Sequence, residues 1–186
     1  MKEYERRFFL DGDKYDTLKS ILVPQNVFPE RQVTTYYDIP GKDLRFMQTK
    51  SYCKMWLKGG NIHDVCRTEF EEIFELSHAP GLEEILKAAF PIKTQWYRER
   101  YKFTYDNISI CLDKTLHYGS ILELEVLISD DQDKSLAENI IRNYMTVYNL
   151  QEKAPSFWTE LYHSYVMNWR SYNYPDIQSW IQEAKV

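Results

Sequence analysis

The 186-residue sequence predicts an α+β protein built on an antiparallel sheet or barrel. Eight short runs rich in β-branched and aromatic residues are joined by hairpin-length connections, so sequence neighbours are expected to pair. Helical periodicity is concentrated late in the chain, from Asp133 onward. Aromatic residues make up 16%, including fifteen tyrosines, and such side chains pack broadly over strands. A hydrophobic fraction of 44% is ample for the core of one domain.

The first run, KEYERRFFL, is strand-like. A helix follows from Asp13 to Val23, with Asp13 as its cap and Tyr15, Leu18, Ile21 and Leu22 as its apolar stripe. RQVTTYYDI is a second strand that stops at Pro40-Gly41. DLRFMQT and YCKMWLK are the third and fourth, before the turn residues Gly59-Gly60-Asn61. DVCRTEFEEIFEL continues the β pattern to Ser77, the expected cap of a helix over roughly Gly81 to Phe90, where Leu82, Ile85, Leu86 and Ala89 align. TQWYRERYKFTY, ISICLDKT and SILELEVLI complete the strands, separated by Asp106-Asn107 and Tyr118-Gly119. Leu136, Ile140, Ile141 and Tyr144 mark one late helix. Phe157, Leu161, Tyr162 and Tyr165 mark a second, starting near Ser156. Ile177, Trp180 and Ile181 mark a third after Pro175, which could cap the barrel or seat a second subunit, with packing the expected role.

A net charge of −5 argues against bulk attraction to nucleic acid or membranes. Cys53, Cys66 and Cys111 are odd in number and show no CxxC or Cys/His spacing. They read as reduced core or strand residues, with neither a disulfide framework nor a zinc motif. There is no basic-then-apolar leader and no apolar run approaching about 18 residues, so a cytoplasmic location is expected. His63, His78, His117 and His163 are scattered and read as surface or packing residues.

Charge recurs at period two along most strands. Glu3, Glu5 and Arg7 share a face of the first, and Arg67, Glu69 and Glu71 a face of the fifth. Arg98, Arg100 and Lys102 lie opposite Tyr97, Tyr101 and Phe103 on the sixth. Asp113 falls two residues after Cys111 on the seventh. Singly, such faces are solvated. The eighth strand is different, because Glu123 and Glu125 interrupt a run that otherwise looks buried on both sides. Buried like charges are costly unless something compensates them. Acids gathered opposite Arg and Lys suit a hard divalent cation on the carboxylates with a polyanion between cation and bases.

Here the sequence resembles the CYTH superfamily, the triphosphate tunnel metalloenzymes. EYERR resembles the family's ExExK strand, with Arg7 in place of lysine, and TTYYDIP resembles YFDTP. WLKGG is similar to TLKG, RTEFE to RxExE, and RERYKF to KxRxxY with Arg98 at the lysine position. CLDKTLHYGSILELE matches LDxxxxLGxFxExE, and SFWTELYHSY is similar to the late helix with its SY pair. The LRxR pair departs: Arg45 remains, Met47 stands at the second arginine, and Lys54 is a candidate substitute.

The resemblance implies an eight-stranded antiparallel barrel around a charged tunnel, with surrounding helices, most of them C-terminal. Residues 1–186 would form one CYTH-like domain: barrel strands with two inserted helices over 1–130, then C-terminal helices over 131–186. It implies Mg²⁺ or Mn²⁺ on Glu123 and Glu125, with Glu3 and Glu5 nearby to hold a second metal or the attacking water. Glu69, Glu71 and Asp113 would complete the acidic side. Arg7, Arg45, Lys54, Lys58, Arg67, Arg98 and Arg100 would clamp the phosphates of a small triphosphate. The expected activity is hydrolysis of tripolyphosphate or a small organic triphosphate by a monomer or homodimer. The alternatives are a class IV type adenylyl cyclase and a binding module without turnover.

Overall fold

The computed structural model describes residues 2–58, 69–128 and 131–182. Eight strands form one sheet: β1 (Lys2–Leu10), β2 (Glu30–Ile39), β3 (Lys42–Gln48), β4 (Tyr52–Lys58), β5 (Glu69–Glu75), β6 (Ile92–Tyr105), β7 (Ile108–Thr115) and β8 (Gly119–Ile128). Their order is β1-β8-β7-β6-β2-β3-β4-β5, so most neighbours in space are neighbours in sequence. The β1–β8, β7–β8, β2–β3, β3–β4 and β4–β5 pairs are antiparallel. The helices are α1 (Gly12–Leu22), α2 (Ala79–Ala89), α3 (Asp131–Val147), α4 (Pro155–Asn168) and α5 (Ile177–Gln182). Eight antiparallel strands with mostly late helices are the expected class.

The chain divides into two compact units, Met1–Pro29 with Glu99–His163, and Glu30–Arg98 with Ser164–Val186. In the first unit the even positions of β1, β7 and β8 form the core. Phe8, Leu112, Leu122 and Leu124 are fully buried there, under Tyr15 and Leu18 of α1 and Ala137 and Ile141 of α3. Each large side chain removed from water contributes about 1.5–3 kcal/mol. Because side chains alternate along a strand, this packing commits the odd positions to the opposite face.

The β7–β8 hairpin depends on Gly119. Its φ of +126° suits glycine, and an added Cβ would lie 2.6 Å from Cε2 of Phe9. That ring is hemmed in by edge contacts to Phe157 and Trp158 at 5.2 and 6.3 Å.

In the second unit Tyr37, Phe46 and Cys53 from β2, β3 and β4 pack with Ala79 and Leu86 of α2. The apolar side chains of α5 turn inward on their own chain. Trp180 Nε1 donates to the Gln32 carbonyl at 3.3 Å, and Ile181 is buried.

Helix details differ from the sequence expectation. Asp11 caps α1, not Asp13: its backbone is extended and its Oδ1 accepts the Lys14 N–H at 2.8 Å. Ser77 lies in a short 3-10 turn, Leu76–His78, and α2 starts at Ala79, where Pro80 presets the first turn. Ile21, Ile85 and Leu136 are 60%, 65% and 58% exposed. At about 100° per residue each lies about 90–120° from the centre of the buried stripe marked by Tyr15 and Leu18, Ala79 and Leu86, or Ala137 and Ile141, and so beyond its edge.

Candidate metal and phosphate site

The odd face of β1, β7 and β8 in the first unit carries cross-strand rows set by register. Glu5, Glu125 and Ser109 form one row, and Arg7, Glu123 and Cys111 the next. Asp113 is one row further on, opposite Ile121. Arg7 pairs with Glu5 and reaches Glu123 Oε1 at 3.4 Å. Arg100, from β6, donates from Nε to Asp113 Oδ1 at 2.7 Å, and from Nη2 to Asp113 Oδ2 at 2.5 Å and Glu123 Oε2 at 2.8 Å. Five of the sequence-chosen residues, Glu5, Arg7, Arg100, Asp113 and Glu123, are thus joined in one chain of ion pairs.

Electrostatics follow from that crowding. Burial, together with the charges of Glu123 and Glu125, raises the Glu5 carboxyl above the usual carboxylate range, against the opposing pull of Arg7. Burial works against the Arg100 charge, but Asp113 and Glu123 more than offset it, and the guanidinium is held cationic more firmly than usual. Burial pushes the Cys111 thiol up to about 12; Arg100 opposes the rise and Glu123 and Glu125 add to it.

Cys111, read from the sequence as a reduced core or strand residue, joins this face. Its sulfur and one oxygen each of Glu123 and Glu125 lie within 4.8 Å of one another. No spacing motif announces this set, because cross-strand register creates it. The available signal was the alternation that places Cys111 two residues before Asp113 on a strand whose other face is apolar.

The second unit has its own charged face. Rows run Tyr36, Arg45, Trp56, Glu71 and Asp38, Asp43, Lys58, Glu69. Arg45 donates from Nε to Asp43 Oδ1 at 2.9 Å and from Nη2 to Oδ2 at 2.5 Å. Its guanidinium stands 4.6 Å from the Tyr36 ring centre and 5.7 Å from that of Trp56. Lys54 pairs with Glu71, and its Nζ lies 5.1 Å from the Trp56 ring. The Arg98 guanidinium lies 5.4 Å from the Trp96 ring. Asp43 and these aromatic platforms were not anticipated, since a single strand does not reveal its cross-strand partners. Glu3 and Glu69 are located by register, opposite Leu127 and Lys58. Arg67 lies outside the described residues, as do Cys66 and His63.

Among the described residues, no helix is long and apolar enough to cross a membrane. No curated protein matches this sequence. Solved structures with the same fold include the PH1819 protein of Pyrococcus horikoshii OT3, 16% identical over 87% of this chain and 99% of that one, with a TM-score of 0.66. The PH1012 protein of the same organism is 18% identical over 81% and 92%, with a TM-score of 0.64. A candidate adenylate cyclase from Bacillus halodurans is 13% identical over 83% and 95%, with a TM-score of 0.59. The CYTH domain model matches residues 1–156, a span that holds all eight strands and every charged row described above. The chain belongs to the CYTH domain family.

Proposed function

We propose that this chain is a metal-dependent triphosphatase that hydrolyses inorganic tripolyphosphate or a small organic triphosphate. The observation that carries the reading is the odd face of β1, β7 and β8. There Glu5, Asp113, Glu123 and Glu125 gather with Arg7 and Arg100 among them. Carboxylates gathered this closely suit a divalent cation between them. The close donor atoms of Glu123 and Glu125 fit the oxygen preference of Mg²⁺ or Mn²⁺.

Glu123 and Glu125 would hold the cation, with Glu3 and Glu5 beside them on β1. A cation bound there supplies positive charge against the phosphate oxygens and Lewis acidity at the phosphoryl group being transferred. Arg7 and Arg100 offer charge-assisted hydrogen bonds to phosphate oxygens, and their present carboxylate partners hold them in place. Asp113, engaged through both oxygens, orients Arg100. Arg45, Lys54, Lys58, Arg67 and Arg98 are proposed as further phosphate ligands, and Glu69 and Glu71 as further acids.

Glu5 is proposed as the base. Its raised affinity for protons suits it to take one from water. The water oxygen bonds to the terminal phosphorus as the bond to the bridging oxygen breaks, leaving orthophosphate and diphosphate. Positioning and charge neutralisation dominate such a transfer, and no covalent nucleophile is required. The family match spans residues of both compact units, which supports reading 1–186 as one CYTH-like domain.

A substrate panel of tripolyphosphate, thiamine triphosphate and ATP with Mg²⁺ or Mn²⁺ tests the reading. Orthophosphate release from at least one is expected. Cyclic AMP with pyrophosphate from ATP would replace hydrolysis by cyclisation, and tight binding without products would reduce the chain to a binding module.

A further inference from the structure

We propose that Cys111 makes the acidic face of the first unit a centre for thiophilic divalent cations, of the Zn²⁺ and Cd²⁺ class, with its sulfur a ligand beside Glu123 and Glu125. The inference rests on the metal-centre part of the reading above and adds a donor that changes which cation is preferred. Ile110 and Leu112 are buried in the core on the other face of β7, so Cys111 is committed to the charged face. It is fully buried and reduced, directly opposite Glu123 in register. Among the described residues its sulfur has no hydrogen-bond partner. Neither does the buried Ser109 Oγ, two residues away on the same face and opposite Glu125.

A cysteine kept for packing belongs among apolar side chains, whereas this one sits with two carboxylates, and its sulfur is within 4.8 Å of both. Ligand lengths of about 2.3 Å for Zn–S and about 2.0–2.2 Å for Zn–O put donors about 3.5 Å apart around a tetrahedral ion. Donors already within 4.8 Å of one another need to close by no more than about 1.3 Å to reach that spacing. Oxygen donors alone suit Mg²⁺ and Mn²⁺; adding a thiolate shifts preference toward softer ions.

The test is zinc-edge X-ray absorption on the full chain loaded with one equivalent of Zn²⁺, paired with calorimetry. A sulfur scatterer at about 2.3 Å is expected in the natural protein and in Cys53→Ser/Cys66→Ser, and is lost in Cys111→Ser. Cys111→Ser should bind Zn²⁺ about 10–100-fold more weakly while Mn²⁺ affinity stays within about twofold. Zn²⁺ held by oxygen or nitrogen alone in the natural protein would overturn the sulfur ligand and leave the triphosphatase reading standing. No binding of Zn²⁺, Mn²⁺ or Mg²⁺ would overturn the metal centre and this proposal together.

Discussion

Arg100 grips Asp113 with two parallel hydrogen bonds, 2.7 Å from Nε to Oδ1 and 2.5 Å from Nη2 to Oδ2, around a carboxylate only 2% exposed. Removing one partner of so buried a pair strands the other charge. Arg100→Met is expected to lower stability by about 3–5 kcal/mol in urea unfolding. Combining it with Asp113→Leu should recover more than about half of that loss without restoring turnover, which separates Arg100's structural part from its proposed phosphate contact.

Glu5→Gln removes the proposed base and keeps its shape. Loss of one like charge beside Glu123 and Glu125 offsets the weakened Arg7 pair, so unfolding should shift by no more than about 1 kcal/mol. Phosphate release should fall by about 100-fold or more. A fully active variant would show that β1 supplies only a charged strand face.

Gly119→Ala should destabilise the first unit by about 2 kcal/mol or more. The new methyl meets the Phe9 ring at 2.6 Å, in a backbone conformation that costs an L-residue about 1 kcal/mol on its own. Circular dichroism during thermal unfolding checks this, and Phe9→Ala introduced with it should return the part due to the clash.

Much of this was legible because alternation is a strong signal. YCKMWLK and ISICLDKT coincide with β4 and β7, and the acids of LELE stand on the face opposite Leu122 and Leu124. Helix existence was readable too, but Ile21 and Ile85 show that an apolar stripe does not say which of its margins meets a sheet. Pairings between strands were the hidden layer. Nothing local to RERYKF says that Arg100 will take Asp113 and Glu123, or that Cys111 will sit with Glu123 and Glu125. Those facts belong to register, which only the folded sheet supplies.

Alkaline titration probes the α5 end of the second unit. Burial first, then Asp176 and Tyr174, push the Tyr97 hydroxyl up to about 12, and its ring stacks on Tyr174 at 4.6 Å. The unfolded chain gives up this proton near pH 10, before the folded one does. Stability is therefore fully present below about pH 10 and falls as pH rises toward about 12. Tyr97→Phe keeps the stacking and lacks the proton, so its melting temperature should decline less steeply across that window.

In the proposed function, the carboxylates on the odd face of β1 and β8 drive hydrolysis of a triphosphate. Orthophosphate release from tripolyphosphate, with Mg²⁺ or Mn²⁺ and again with chelator, tests it in the natural protein and in Glu123→Gln/Glu125→Gln. Cation-dependent release that the chelator and the double substitution each abolish, in a protein that still folds, is the predicted result. Release that persists at the natural rate in the double variant would contradict the account.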